Sequence, residues 1–291
     1  MLVMTDRKPY ATDLSDARWA LIEPVLADWR ARRARDVPAG CGEAAHDLRE
    51  IVNAILYLNR AGCAWHLLPH DFPPYKTVYD YYAKWEREGV TEQIHDLLRA
   101  KVRRKAGRAA EPSTAIYDAQ SVKTSGNVPA GSQGIDAAKK VAGRKRHIAT
   151  DTLGLILVVL VTAASVHDNV GGTALTRHVA ARYPSVARVW VDQGYKKAVA
   201  EDGAKHGIDV RVYAKDPAVK GFAATPRWPV ERTYGWVVRY RRLDRDYEVL
   251  EQRSVAQIHW AMINNMSRRL TNETTPTWRT PQETTDLPAA A

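Results

Sequence analysis

Three acidic residues stand where the surrounding sequence has little use for a charge. Asp118 ends the run Ile116-Tyr117-Asp118, Asp192 ends Val189-Trp190-Val191-Asp192, and Glu231 follows Arg227-Trp228-Pro229-Val230. Each has a plain explanation alone: an aspartate closes an apolar strand by forming a turn, and a glutamate just after a proline suits a first helical turn. Brought together, three carboxylates are hard oxygen ligands suited to Mg²⁺ or Mn²⁺. A pair of such ions can activate a nucleophilic oxygen and stabilise the leaving oxygen of a phosphodiester.

Cations surround these acids in the sequence. Lys139, Lys140, Arg144, Lys145 and Arg146 accompany one expected strand, Arg227 lies just before Glu231, and Arg232, Arg239 and Arg242 recur near one face of a helix expected from about Pro229. Such groups would hold phosphates and position DNA without reading its bases, although a solvated helix face is the alternative for the arginine stripe. The whole chain has 43 Lys plus Arg against 33 Asp plus Glu, a net +10, with most of the excess beyond residue 115. A polyanionic partner is the usual reason for this balance, and plain solubility the other.

The elements that must position these groups fall into two kinds. Residues 1–110 read as helices: Ser15 or Thr12 caps an apolar face containing Trp19, Ile22 and Leu26, and Asp47 starts a second helix that Gly62 stops. After Pro69, Pro73 and Pro74, a third helix begins at Thr77, so a helix-turn-helix is possible with Thr77, Asp80, Tyr81, Lys84 and Arg87 as candidate DNA contacts. A fourth helix, capped by Thr91, ends in Arg99, Lys101, Arg103, Arg104, Lys105 and Arg108, readable as a phosphate-lining hinge or as a solvated helix end.

From residue 113 the pattern changes to strands: 114–118, 146–151 and 155–162 form an expected antiparallel meander, followed by helix 172–183, strand 186–192, helix 195–206, strand 208–213 and the long last helix. The order βββαβαβα is that of a ribonuclease-H-like mixed sheet with helices on both faces, an α/β fold. That order brings the first strand, the fourth strand and the last helix, hence Asp118, Asp192 and Glu231, to one edge. The expected domains are a helical DNA-binding domain over 1–110, a catalytic domain over 111–270, and a disordered Thr- and Pro-rich tail over 271–291.

Other chemistry is weaker. Cys41, His46, Cys63, His66 and His70 are zinc-type donors, but they lack a second tight pair. His147 and His167 could assist near the acids, Asp151 and Asp168 read as turn residues, and Trp65 or Trp228 could stack on an unpaired base. Two cysteines fit a reducing compartment, and the charged, Pro-containing start MLVMTDRKPY is unlike a signal peptide. The apolar run from Leu153 to Ala164 is too short to span a bilayer, so a cytoplasmic location with no membrane partner is expected.

With these residues in view, the chain resembles the DDE transposases of bacterial insertion sequences, in the insertion-sequence-five group. The resemblance runs from about Leu14 to Arg269 through Leu14-Ser15-Asp16-Ala17-Arg18-Trp19, Gly62-Cys63-Ala64-Trp65, Phe72-Pro73-Pro74-Tyr75, Gly143-Arg144-Lys145-Arg146-His147, Asp192-Gln193-Gly194-Tyr195 and Glu231-Arg232-Thr233. It implies that Asp118, Asp192 and Glu231 are a catalytic triad holding two Mg²⁺ or Mn²⁺ ions. It further implies a nucleoid-associated enzyme that binds double-stranded DNA at element ends, cuts it and joins it to target DNA, as a homodimer or higher assembly. A DNA-binding regulator without activity and a nuclease without strand transfer are the alternatives. The group's Tyr-Arg-Glu-Lys signature is kept at Arg227 and Glu231. Ala224 holds the Tyr place, and Val238 the Lys place with Arg239 one position later.

Overall fold

The computed structural model describes residues 7–35, 46–195, 197–213 and 225–275. Four helices come first: α1 (Asp16–Arg35), α2 (Leu48–Ala61), α3 (Tyr75–Arg87) and α4 (Val90–Lys105). Their ends follow from local chemistry. The Ser15 hydroxyl accepts from the Arg18 amide at 3.3 Å, the Asp47 carboxylate accepts from the Arg49 amide at 2.8 Å, and Gly62 ends α2 in the left-handed region. α3 starts two residues before the expected Thr77, because Pro74 supplies its N-cap.

Six strands form one mixed sheet: β1 (Thr114–Lys123), β2 (Gly134–Asp136), β3 (Val141–Asp151), β4 (Ile156–Ala163), β5 (Arg188–Val191) and β6 (Asp209–Val212). The path is β2-β3-β1-β5-β6, with β4 on the same edge of β3 as β2. β1, β3 and β4 make the expected antiparallel meander, and β1, β5 and β6 run parallel. The connecting helices are α5 (Asp168–Arg182) and α6 (Lys197–Lys205), followed by α7 (Trp228–Val237) and α8 (Glu251–Thr271). This is the ribonuclease-H-like α/β order, with β2 as an addition that three residues of sequence did not signal.

The expected long last helix is two helices. α7 stops at Val237, a short helical turn follows at Arg241–Leu243, and α8 starts afresh at Glu251. α8 then runs back among α1, α2 and α4, and Trp260, Ile263 and Met266 join Ile22, Ile55, Trp85 and Leu98 in one core. That core continues onto one face of the sheet through Ile148, Ile156 and Val237. A second core of Tyr117, Ala149, Leu175, Val179 and Tyr195 lies under α5 and α6 on the opposite face. Residue 110 falls in the connection between α4 and β1. Within the expected tail, Glu273 accepts from the Ser15 hydroxyl and pairs with Arg268; residues 276–291 lie outside the described residues, as do Cys41 and Ala224.

The turn between β3 and β4 fixes α7. Thr233 donates its hydroxyl to the Gly154 carbonyl at 2.6 Å, and Arg232 donates to the Leu153 carbonyl at 2.9 Å. Gly154 has φ +70°, and a Cβ there would stand 2.8 Å from the Pro229 carbonyl oxygen. Gly154→Ala is therefore expected to destabilise the fold by about 1–3 kcal/mol and to loosen α7, read as a lower urea midpoint and faster amide exchange in residues 230–234.

Candidate active site

Pairing between β1 and β5 ends at Ile116 opposite Trp190. Two residues further on each strand come Asp118 and Asp192, so the parallel register places both aspartates at equivalent positions just where the strands part. Strand alternation puts Ile116 and Asp118 on the face that α7 covers. The expectation that Asp118 closes its strand is corrected: β1 continues to Lys123, and Asp118 lies mid-strand, paired with Ile148. Its carboxylate is partly accessible where β5 has already diverged.

Arg227, at the N-cap of α7, bridges the pair. Its Nη2 is 3.1 Å from Asp118 Oδ1 and 3.5 Å from Asp192 Oδ2. Burial pushes the Asp118 carboxyl up to about 6; Arg227, the Ala119 amide and Lys139 pull it down, while Asp192 pushes it further up. Asp192 is oriented by the Gly194 amide, which donates to Oδ1 at 2.8 Å. Two tyrosines lie within the electrostatic reach of Asp118. The Tyr195 and Tyr234 hydroxyls are buried without a hydrogen-bond partner among the described residues, and burial together with the charge of Asp118 holds both phenols well above their ordinary range.

Glu231 does not join this pair. It sits one turn further along α7 and is exposed, and among the described residues no three His, Cys, Asp or Glu side chains are close enough to hold a metal ion. The aspartate pair itself suits a divalent cation: two hard carboxylates already gather one positive charge.

Residues 109–266, more than half of the chain, match the family model described as "Transposase DDE domain". The chain belongs to the DDE transposase family. Residues 14–95 match a second model, described as "Putative transposase of IS4/5 family". A relative from Burkholderia cepacia, the "Insertion element IS402 uncharacterized 16.2 kDa protein", is 29% identical over 115 residues, 39% of this chain and 74% of that protein. The chain is thus a DDE-type transposase acting on DNA, from a family that generally uses divalent ions. No described helix is long and apolar enough to cross a membrane.

For a transposase, the important question is which cations remain free for DNA, and several expected ones do not. Arg144 is fully buried and pairs with Asp246 while donating to the Glu248 and Val249 carbonyls. Lys145 binds Asp136 and Asp168, and Arg146 donates to the Leu243 carbonyl at 2.8 Å. All three hold the fold together, because β3 is covered on both faces and any cation there must find a buried partner. Arg242 is corrected likewise: it is buried against Glu248 at 2.8 Å and donates to the Cys63 carbonyl. Arg232 lies over the Trp228 and Trp236 rings. With α7 ending at Val237, the expected arginine stripe does not exist as one helical face.

Lys139, Lys140 and Arg239 are exposed. Lys139 also donates to the Ala119 carbonyl at 2.8 Å, next to Asp118. Arg245, exposed near Arg239, lies in an irregular segment that no periodicity marks. On α3, Thr77 is half-buried and Lys84 pairs with Asp80 at 2.8 Å. In the basic end of α4, Arg99 and Arg103 are buried and Lys105 caps α8 through the Arg269 and Leu270 carbonyls, leaving Arg104 and Arg108 exposed. Lys139→Ala with Arg239→Ala should flatten the salt dependence of DNA binding by about one to two in slope. The same pair should leave the urea midpoint unchanged, whereas Arg144→Ala should lower it.

The remaining candidates have structural roles. His147 is buried, hydrogen-bonded to Thr162 at 3.1 Å and pushed down to about 4 by burial, so it is neutral at physiological pH. His167 caps α5, and Asp151 accepts from the Leu153 and Leu155 amides as a turn residue. Trp65 packs edge-on against Tyr79, and Trp85 is core.

Proposed function

We propose that this transposase binds the terminal inverted repeats of an insertion sequence, hydrolyses the DNA at the element ends and joins the freed 3′-hydroxyl to target DNA. The observation that carries this reading is the pair Asp118 and Asp192, set in register where β1 and β5 part and already gathered around one cation. Asp118 and Asp192 would hold Mg²⁺ or Mn²⁺, two ions in the full assembly, with Glu231 of α7 completing one shell. When bound, the ions supply an activated oxygen nucleophile and a neutralised leaving oxygen.

The chain's own groups do the rest. Arg227 would hold a phosphate beside the carboxylates. Lys139, Lys140 and Arg239 would carry the flanking backbone, offsetting the repulsion between DNA and a carboxylate cluster. The helical region 1–110, with Thr77 and Lys84 on α3, would read the repeat, while 111–270 does the chemistry. Handling two ends at once requires at least a dimer. Mixing the purified protein with Mg²⁺ and a labelled end fragment tests this reading. Joined products support it, cutting alone supports a nuclease, and binding without cutting supports a regulator.

A further inference from the structure

We infer that Arg227 is a positioning residue that occupies the divalent-ion position until a DNA phosphate draws it away, so that ion binding and DNA-end binding depend on each other. This rests on the proposed role of Asp118 and Asp192. One nitrogen, Nη2, serves both carboxylates, at 3.1 and 3.5 Å, and Nε is buried with no hydrogen-bond partner among the described residues. A guanidinium that presents its planar fork to one carboxylate or phosphate forms two parallel bonds. Here the contact is end-on and shared, and the guanidinium leaves donors unspent.

Charge arithmetic makes the contact exclusive. Two carboxylates and one guanidinium leave a net −1, whereas a divalent cation neutralises the pair completely. Placing both cations between the same two oxygens would bring like charges within a few ångströms in a half-buried site, where their repulsion is screened less than in water. A phosphate offers the guanidinium the bidentate partner it lacks. Glu231 lies four residues beyond Arg227, and residues at that spacing share a face of a helix. The same face of α7 therefore carries the cation now in place and an exposed carboxylate not yet engaged.

Reciprocity then requires DNA to tighten ion binding by the factor with which the ion tightens DNA binding. The probe is Mn²⁺, followed by its free-ion electron paramagnetic resonance signal, with and without a pre-cleaved duplex of the element end. Asp118→Asn defines the sites to subtract. The wild-type protein should bind Mn²⁺ about tenfold more tightly with the duplex than without it, within the usual range of coupling. Arg227→Ala should bind Mn²⁺ about as tightly without DNA as the wild type does with it, so the coupling disappears. Arg227→Lys, which keeps the cation, should retain most of the coupling.

If Arg227→Ala binds Mn²⁺ no more tightly than wild type while wild-type cleavage still depends on Asp118, the displacement role is wrong and the catalytic reading survives. If Asp118→Asn leaves Mn²⁺ binding untouched in every background, both fall.

Discussion

Asp118→Asn is expected to lower end cleavage by on the order of 10³-fold or more while leaving affinity for the end duplex within about twofold. The carboxylate is buried enough to be pushed up to about 6, yet it projects from a strand whose neighbour has parted, and it meets Arg227 and the Ala119 amide. Replacing it with an isosteric amide removes a hard anionic ligand and leaves the strand intact. The sign of its effect on stability follows from the raised pKa. An acid that holds its proton more tightly when folded adds stability as pH falls from about 6 towards its ordinary value near 4, and its ionised form opposes folding above about 6. In EDTA at pH 8, Asp118→Asn should therefore be at least as stable as wild type by thermal melting. A marked loss of stability would mean that Asp118 serves the fold.

Asp151→Ala is expected to have the opposite profile, a loss of about 3–5 kcal/mol in unfolding free energy with catalytic geometry affected only through the fold. Asp151 is fully buried at the end of β3, pairs with Arg103 of α4, and accepts from the Leu153 and Leu155 amides. Arg103 also donates to the Ala109 carbonyl at 2.8 Å, which ties the helical region to the sheet at the connection before β1. Removing the carboxylate strands the buried guanidinium and frees two amides of the turn that seats α7. Arg103→Met with Asp151→Ala should lose less than the sum of the single changes, because neither charge is then left alone. Urea unfolding of the two single variants and the double variant measures this; strict additivity would mean that the pair is not coupled.

The sequence made the sheet legible because its strands carry continuous apolar runs and its helices have clear caps at Asp47 and Gly62. Asp118 and Asp192 stood out because each interrupts or follows such a run, and the element order alone puts them side by side. The cations were misread for a physical reason. Arg144, Lys145 and Arg146 are consecutive, so they point to alternate faces of β3, and only the tertiary cover of α5, α7 and the segment from Leu243 to Val249 decides that both faces are buried. Arg242 finds Glu248 across a turn, a partner no helical periodicity could suggest. The break after Val237 was hidden because Val238 to Leu243 continues the helical spacing, while Tyr240 and Leu243 turn inward to the core instead. Glu231 lies on α7, exposed and apart from the aspartates, a separation that sequence cannot encode.

The most direct test of the central claim is strand cleavage and joining on one labelled element-end duplex with target DNA and Mg²⁺, comparing wild type, Asp118→Asn and Asp192→Asn at equal DNA occupancy. Cut and joined products from wild type alone are the predicted result. Full cleavage by either variant would contradict the assignment of these two aspartates as the catalytic pair.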